Sequence, residues 1–262
     1  MNPERINNLK VATAGIDGVG KTTSLNFSSN RLSEKGVKKI CFLGRKPFSV
    51  ENGEKKYHLH LLSVLDYLHE TADRTGNKKL VLFTNIAHII TQGRVVEPYM
   101  ERKVLPDITL SPRDFLVDSA VYAGIYWPEL SEKGIPTCIS KAKSLSSMEP
   151  RKLLFYLTAP TDIAMQRIEK RLDEKSFDRK TYNRPKWAHI HEKDPNLLES
   201  LSKRYLPVLN YYREIFGTEV HEVDTFKLNE EEVGNYIADT ILERMTNPST
   251  FRRGEWVKTE RG

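Results

Sequence analysis

The sequence predicts an α/β protein: a mainly parallel sheet with helices on both faces. Three observations predict it. Short apolar runs that read as strands alternate with longer runs of helical period along most of the chain. The stretch Gly15-Ile16-Asp17-Gly18-Val19-Gly20-Lys21-Thr22 fits the phosphate-binding pattern G-x-x-x-x-G-K-[ST] between a strand and a helix. No internal repeat or low-complexity linker breaks the alternation.

Each element has its own justification. Leu9 to Ala14 reads as a short strand entering the glycine-rich loop, and Thr22 to Lys35 as the helix leaving it. Gly36 stops that helix, and Lys39 to Leu43 is a second strand. Leu59, Leu62, Leu65 and Leu68 mark one face of a helix over His58 to His69. Leu80 to Ile90 is largely apolar and reads as a buried helix. Phe115-Leu116-Val117 reads as a short buried strand ending at Asp118, and Leu153 to Leu157 as another. Pro160-Thr161-Asp162 opens a helix to Leu172, with proline at a tolerated first-turn position. Helices over Leu197 to Phe216 and Glu230 to Met245 flank a strand at Val220 to Val223. Asn247 to Gly262 is polar and basic with a lone Trp256, and reads as a surface tail pinned by that ring.

In a parallel sheet, ligands bind outside the carboxyl ends of the strands. The glycine-rich loop, Arg45 after the second strand and Asp118 after the predicted third all fall at such ends. In the loop, Gly15, Gly18 and Gly20 let main-chain N–H groups close around phosphate oxygens. Val19, Lys21, Thr22 and Thr23 complete the cradle. Lys21 supplies a positive charge to the terminal phosphates, and the Thr22 hydroxyl is a ligand for Mg²⁺. The helix N-terminus adds its dipole. Asp118 reads either as a carboxylate that helps hold Mg²⁺ or as a helix N-cap, and the two are compatible. Asp17 reads as an acceptor for a sugar hydroxyl at the loop's edge, or as a solvent-facing turn residue.

The run from Arg167 to Lys186 is dense in cations and poor in aliphatic residues. It reads as a basic lid over a triphosphate, against a solvated helix end and a nucleic-acid contact through Tyr182 and Trp187. The formal charge of +6 suits either a nucleic acid or an anionic nucleotide, and its total does not decide between them.

At 262 residues the chain fits one large domain or two small ones. No apolar run reaches the length of a membrane span. Met1 to Arg5 lacks the apolar core of a secretion signal. Cys41 and Cys138 read as buried thiols of a reducing compartment, so a cytoplasmic location is expected.

The loop with Thr23 appended, G-I-D-G-V-G-K-T-T, resembles the thymidylate kinase loop G-x-D-G-x-G-K-[ST]-T. Further segments resemble that family in its own order. Gly44-Arg45-Lys46-Pro47 is similar to T-R-E-P, and Leu82-Phe83-Thr84-Asn85 to the start of L-F-[SA]-A-[DN]-R. Val117-Asp118-Ser119-Ala120 with Tyr122-Ala123-Gly124 is similar to V-D-R-Y followed by F-S-G. Leu154 to Lys170 resembles the strand and helix before the lid, and Lys203-Arg204-Tyr205-Leu206 the R-Y-L stretch after it.

The resemblance implies a three-layer α/β/α P-loop kinase fold with a five-stranded parallel sheet. The kinase domain would span residues 1–246, with a basic lid at about 172–194 and a tail over 247–262. It implies transfer of the γ-phosphoryl of ATP to a nucleoside monophosphate with Mg²⁺, first of all dTMP to dTDP. On the matching positions Asp17 would hold the acceptor's 3′-hydroxyl, Arg45 its phosphate and Phe83 its base. Tyr122 and Asp118 would line the acceptor side, and Thr22 with Asp118 the metal. Arg171, Arg179 and Arg184 are the lid arginines expected to stabilise the transferring group beside Lys21.

The departures lie in the acceptor pocket: Ser119, Ala87 and Lys46 stand where the family carries Arg, Arg and Glu. Arg94 or Arg113 is the expected replacement for a lost cation. A kinase for another nucleotide, a nucleoside or a small phosphorylated acceptor, and a non-catalytic ATP-binding module, are the alternatives. The resemblance also implies a homodimer, with nucleotide substrates rather than nucleic acid or membrane as partners.

Overall fold

The structure, a computed structural model, describes residues 8–44, 47–58, 61–75, 77–177 and 194–259. In chain order the elements are β1 (Leu9–Ala14), α1 (Lys21–Glu34), β2 (Lys39–Phe42), β3 (Phe48–Glu51), β4 (Glu54–Tyr57), α2 (Leu61–Thr75), α3 (Lys78–Thr91) and α4 (Glu97–Val104). They continue with β5 (Ile108–Ser111), α5 (Phe115–Tyr126), α6 (Pro128–Ser131), α7 (Ile135–Ser146), β6 (Leu153–Thr158) and α8 (Thr161–Phe177). The last are α9 (Pro195–Phe216), β7 (Glu219–Asp224), α10 (Glu230–Thr246) and β8 (Trp256–Lys258).

The sheet has eight strands in the order β4-β3-β2-β5-β1-β6-β7-β8. The expected five-stranded parallel core is present as β2-β5-β1-β6-β7. It is longer than expected at both edges. β8 continues it in parallel beside β7, and β3 with β4 forms an antiparallel hairpin beside β2. The element order expected above lacked this hairpin, although Asn52-Gly53 is its local signal: both residues take positive φ, 52° and 83°, as a tight two-residue turn demands. At the other edge, Trp256 does pin the C-terminal segment, and it does so as part of a strand. It lies in β8, donates from Nε1 to Glu222 at 2.9 Å and meets the Tyr156 ring edge-on.

Adjacent residues of a strand point to opposite faces. In β6 the Phe155 ring meets Tyr236 of α10, while the Tyr156 ring stacks on Tyr205 of α9. Helices therefore cover both faces: α1 packs with α10 on one, and α5 packs with α9 and α7 on the other. Val11, Leu110, Leu153, Phe155 and Val220 fill the core between them.

Two predicted elements differ. Phe115-Leu116-Val117 is not a strand. Pro112 follows β5, and the Asp114 carboxylate then accepts the free N–H groups of Leu116 and Val117 at 3.0 Å each, starting α5. A three-residue apolar run carries no period, so the cap decides. The strand that was expected to end at Asp118 is Ile108–Ser111, and Asp118 sits in the first turn of α5. The helix expected to be buried at Leu80 to Ile90 is half-exposed: α3 buries Val81 and Thr84 but presents Leu80 and Phe83 to solvent. It runs through a π-helical turn at Gln92–Val96 into α4.

Candidate active site

The site forms where β1 ends. All six residues of β1 are buried or half-buried, and the chain leaves it through Gly15 at φ 135°. A Cβ there would collide with the Leu157 carbonyl, and one at Gly18 (φ 86°) with the Ala164 carbonyl. These two glycines let the loop lie flat against β6 and α8. Gly20, left-handed at φ 87°, caps α1 and turns the first helical N–H groups toward the loop. Val19 is buried in the core, Thr22 is exposed on the first turn of α1, and Thr23 is half-buried.

Lys21 lies inside the loop. Its ammonium donates to the carbonyls of Gly15 at 2.5 Å and Ile16 at 2.7 Å, and stands 3.6 Å from Asp17. Burial pushes its pKa down to about 8, against the pull of Asp17 and Asp118. The ammonium therefore occupies the concavity that the loop's amides surround, charged at neutral pH.

Asp17 is not a solvent-facing turn residue. It is buried, and accepts from Arg113 Nη2 at 2.6 Å. The same guanidinium donates from Nη1 to Asp118 at 3.1 Å. Arg113 thus joins the phosphate loop to α5. The Ser111 hydroxyl donates to the Arg113 carbonyl, and the Asp114 N–H donates to the Thr13 carbonyl, which fixes the link between β5 and α5 beside β1. Burial opposes the charge on Arg113, but Asp17, Tyr122 and Asp118 hold its pKa well above the ordinary value. Burial raises the pKa of Asp118, opposed by Arg113, Lys21 and a hydrogen bond donated by the Tyr205 hydroxyl at 2.9 Å.

The structure brings together the loop residues, Asp118 and Tyr122, which is buried on α5 and stacked on Tyr126. Phe83 is 64% exposed on α3. Arg94 and Arg113, the two candidate replacement cations, have different company. Arg94 donates to the carbonyls of Ser144 and Leu145 at the end of α7, whereas Arg113 faces the loop. Arg171 lies on α8. From the same basic run, Arg167 is tied to Thr225 through its hydroxyl and carbonyl. Arg45, Arg179, Arg184 and the lid from residue 178 to 193 lie outside the described residues.

The placement of β5 also changes one motif. Aligning Val117-Asp118-Ser119 with the family's V-D-R rests on a strand at 115–117, which is helix. An arginine does follow the real strand, two residues after Ser111, and it is Arg113. In the sequence Tyr205 stands within the R-Y-L-like stretch Lys203-Arg204-Tyr205-Leu206. Its spacing from Tyr212, two helical turns along α9, was the available signal that both face α5.

The chain is similar to the thymidylate kinase of Thermosipho africanus (strain TCF52B), 27% identical over 169 residues that cover 64% of this chain and 73% of that protein. Two solved structures of deoxyadenosine kinase from M. mycoides share its fold. One holds the products dCMP and a flexible dCDP, at 15% identity and a TM-score of 0.53; the other holds dCTP, at 16% and 0.54. Each aligns over 90% of this chain and all of its own. No protein-family profile matches the chain. The fold is that of the P-loop kinases, and the similarity stands at the level of nucleoside and nucleotide kinases.

Proposed function

We propose that this chain is an ATP-dependent kinase of nucleoside monophosphates, with dTMP the first acceptor to test. One observation carries the reading: a phosphate loop with its lysine in place faces an arginine that two carboxylates hold at the loop's mouth. The likeness to a thymidylate kinase supports it.

Phosphoryl transfer needs little covalent help from side chains; positioning and charge neutralisation supply most of the acceleration. Lys21 leaves the loop carbonyls for the terminal phosphates, and the loop amides take the remaining oxygens. Arg113 binds the acceptor's phosphate, in the role that the lost arginines left open, and Asp17 holds the acceptor's 3′-hydroxyl beside it. A lid arginine, Arg171, Arg179 or Arg184, neutralises the group in flight.

The donor set fits Mg²⁺. The Thr22 hydroxyl is exposed at the loop, and each Asp118 oxygen that takes one hydrogen bond keeps a second lone pair for a metal-bound water. Bound there, Mg²⁺ would offset phosphate charge. No helix among the described residues is long and apolar enough to cross a membrane. A cytoplasmic homodimer completes the reading, and sedimentation tests the assembly.

Labelled ATP with a panel of acceptors is the deciding experiment. Label transferred to dTMP supports the assignment. Label transferred to another nucleotide or a nucleoside, with dTMP inert, sinks the acceptor but keeps the kinase. ATP binding without transfer to any acceptor leaves a non-catalytic module.

A further inference from the structure

Helix α9 meets the candidate site through two tyrosines on one face. The Tyr212 hydroxyl donates to Asp114 at 3.0 Å and accepts the Arg151 N–H at 2.9 Å. Asp114 is the cap of α5, so this contact serves the helix start. Tyr205, two turns earlier, donates to Asp118 Oδ1 at 2.9 Å, and Asp118 Oδ2 takes Arg113. The Tyr205 ring is fully buried and stacks on Tyr156 at 5.8 Å.

We propose that Tyr205 is a positioning residue for phosphoryl transfer: its hydroxyl fixes the Asp118 carboxylate, which in turn holds Arg113 at the mouth of the phosphate loop. The inference rests on the proposed kinase activity for its kinetic consequences but on geometry for its premise. The terminal torsion of an aspartate is broad, so a lone carboxylate does not choose which oxygen it offers. With Oδ1 taken by a rigid phenol, Oδ2 is the oxygen left to face the guanidinium. The groups around Asp118 are Lys21 and Asp17 from the loop, Arg113 and Asp114 from the β5–α5 link, Tyr122 from α5, and Tyr205 from α9. Tyr205 is an uncharged donor to Asp118, so its loss perturbs the orientation of that carboxylate with the formal charge of the site intact.

Tyr205→Phe removes the hydroxyl and keeps the stacked ring. The expected result is a fall of about tenfold in kcat with the KM for ATP within about twofold of wild type. Independently of activity, the ¹⁵N guanidinium signals of Arg113 broaden or exchange faster in the variant. A variant with wild-type kinetics and Arg113 signals, whether or not it melts earlier, overturns the inference. If the wild-type chain phosphorylates no acceptor, the proposed function fails; the Arg113 signals then decide the inference alone, unchanged signals overturning it.

Discussion

Two arginines, Arg151 buried and Arg113 half-buried, stand at opposite ends of the same sheet, and they do different things. Arg151, just before β6, forms a two-pronged pair with Glu97 at 2.7 and 2.8 Å. Lys10 joins Glu97 from β1 at 2.9 Å and also contacts Glu101. Arg113, just after β5, divides its guanidinium between Asp17 and Asp118. The Arg151 side chain is 1% exposed and that of Arg113 31%. Both hold buried carboxylates, but only Arg151 is itself withdrawn from water. The first sits at the amino ends of the strands, ties β1, α4 and the start of β6 together, and holds the sheet. The second sits at the carboxyl ends, where loops and helix N-termini converge, and keeps a face open to an anion. Equal chemistry thus reads as scaffold at one end and as candidate binding group at the other.

Mutagenesis sharpens that contrast. The largest effect is expected from Lys21→Ala: transfer falls by about a thousandfold or more in a coupled assay, while circular dichroism shows an intact fold. Normal turnover would remove Lys21 from the mechanism. The arginines come next, as a pair. Arg113→Ala is expected to lower kcat/KM about a hundredfold with a modest change in melting temperature. Arg151→Ala is expected to cost about 3 kcal/mol of stability by denaturant titration, because a buried carboxylate loses its main partner. ATP affinity of that folded variant stays at the wild-type value. If Arg151→Ala destroys activity without destabilising, the division of labour is wrong.

Acid adds a second reading of the same pair. Burial would raise the pKa of Glu97, but Arg151 and Lys10 bring it down to about 2, from 4.5. A carboxylate depressed in the folded state contributes stability above its unfolded pKa and loses it as pH falls through the folded one. That contribution is therefore lost between pH 4.5 and about 2. In Arg151→Ala the acid transition, followed by fluorescence, shifts upward.

At the other end the titration runs toward base. Lys21, lowered to about 8 by burial, loses its proton in the ligand-free protein above that pH. ATP affinity measured calorimetrically is expected to weaken there, by at most about tenfold per pH unit, while binding takes up a proton. A flat affinity between pH 7 and 9 contradicts the lowered value.

The smallest effect belongs to Arg94→Ala. It removes two bonds to the Ser144 and Leu145 carbonyls, a cost of about 1 kcal/mol, and leaves the acceptor KM within about twofold. A large rise in acceptor KM would return Arg94 to the pocket.

Local patterns determined much of this on their own. The phosphate loop was legible because its function needs particular residues at contiguous positions: glycines where φ is positive, then a lysine and a hydroxyl. The alternation of strands and helices was legible because burying one face imposes a period. The β3–β4 hairpin was missed, although its Asn52-Gly53 turn carried a local signal. What the sequence left to the tertiary structure were pairings between distant segments. Phe115 to Val117 took its helix from the Asp114 cap, whose competition with a strand no three-residue window resolves. Arg113 and Arg94 were interchangeable as letters; only the close approach of β5 to β1 set one beside Asp17 while α7 drew the other to its carbonyls. A charge acquires a role from what surrounds it after burial, and those neighbours are brought together by the folded chain, not by their order along it.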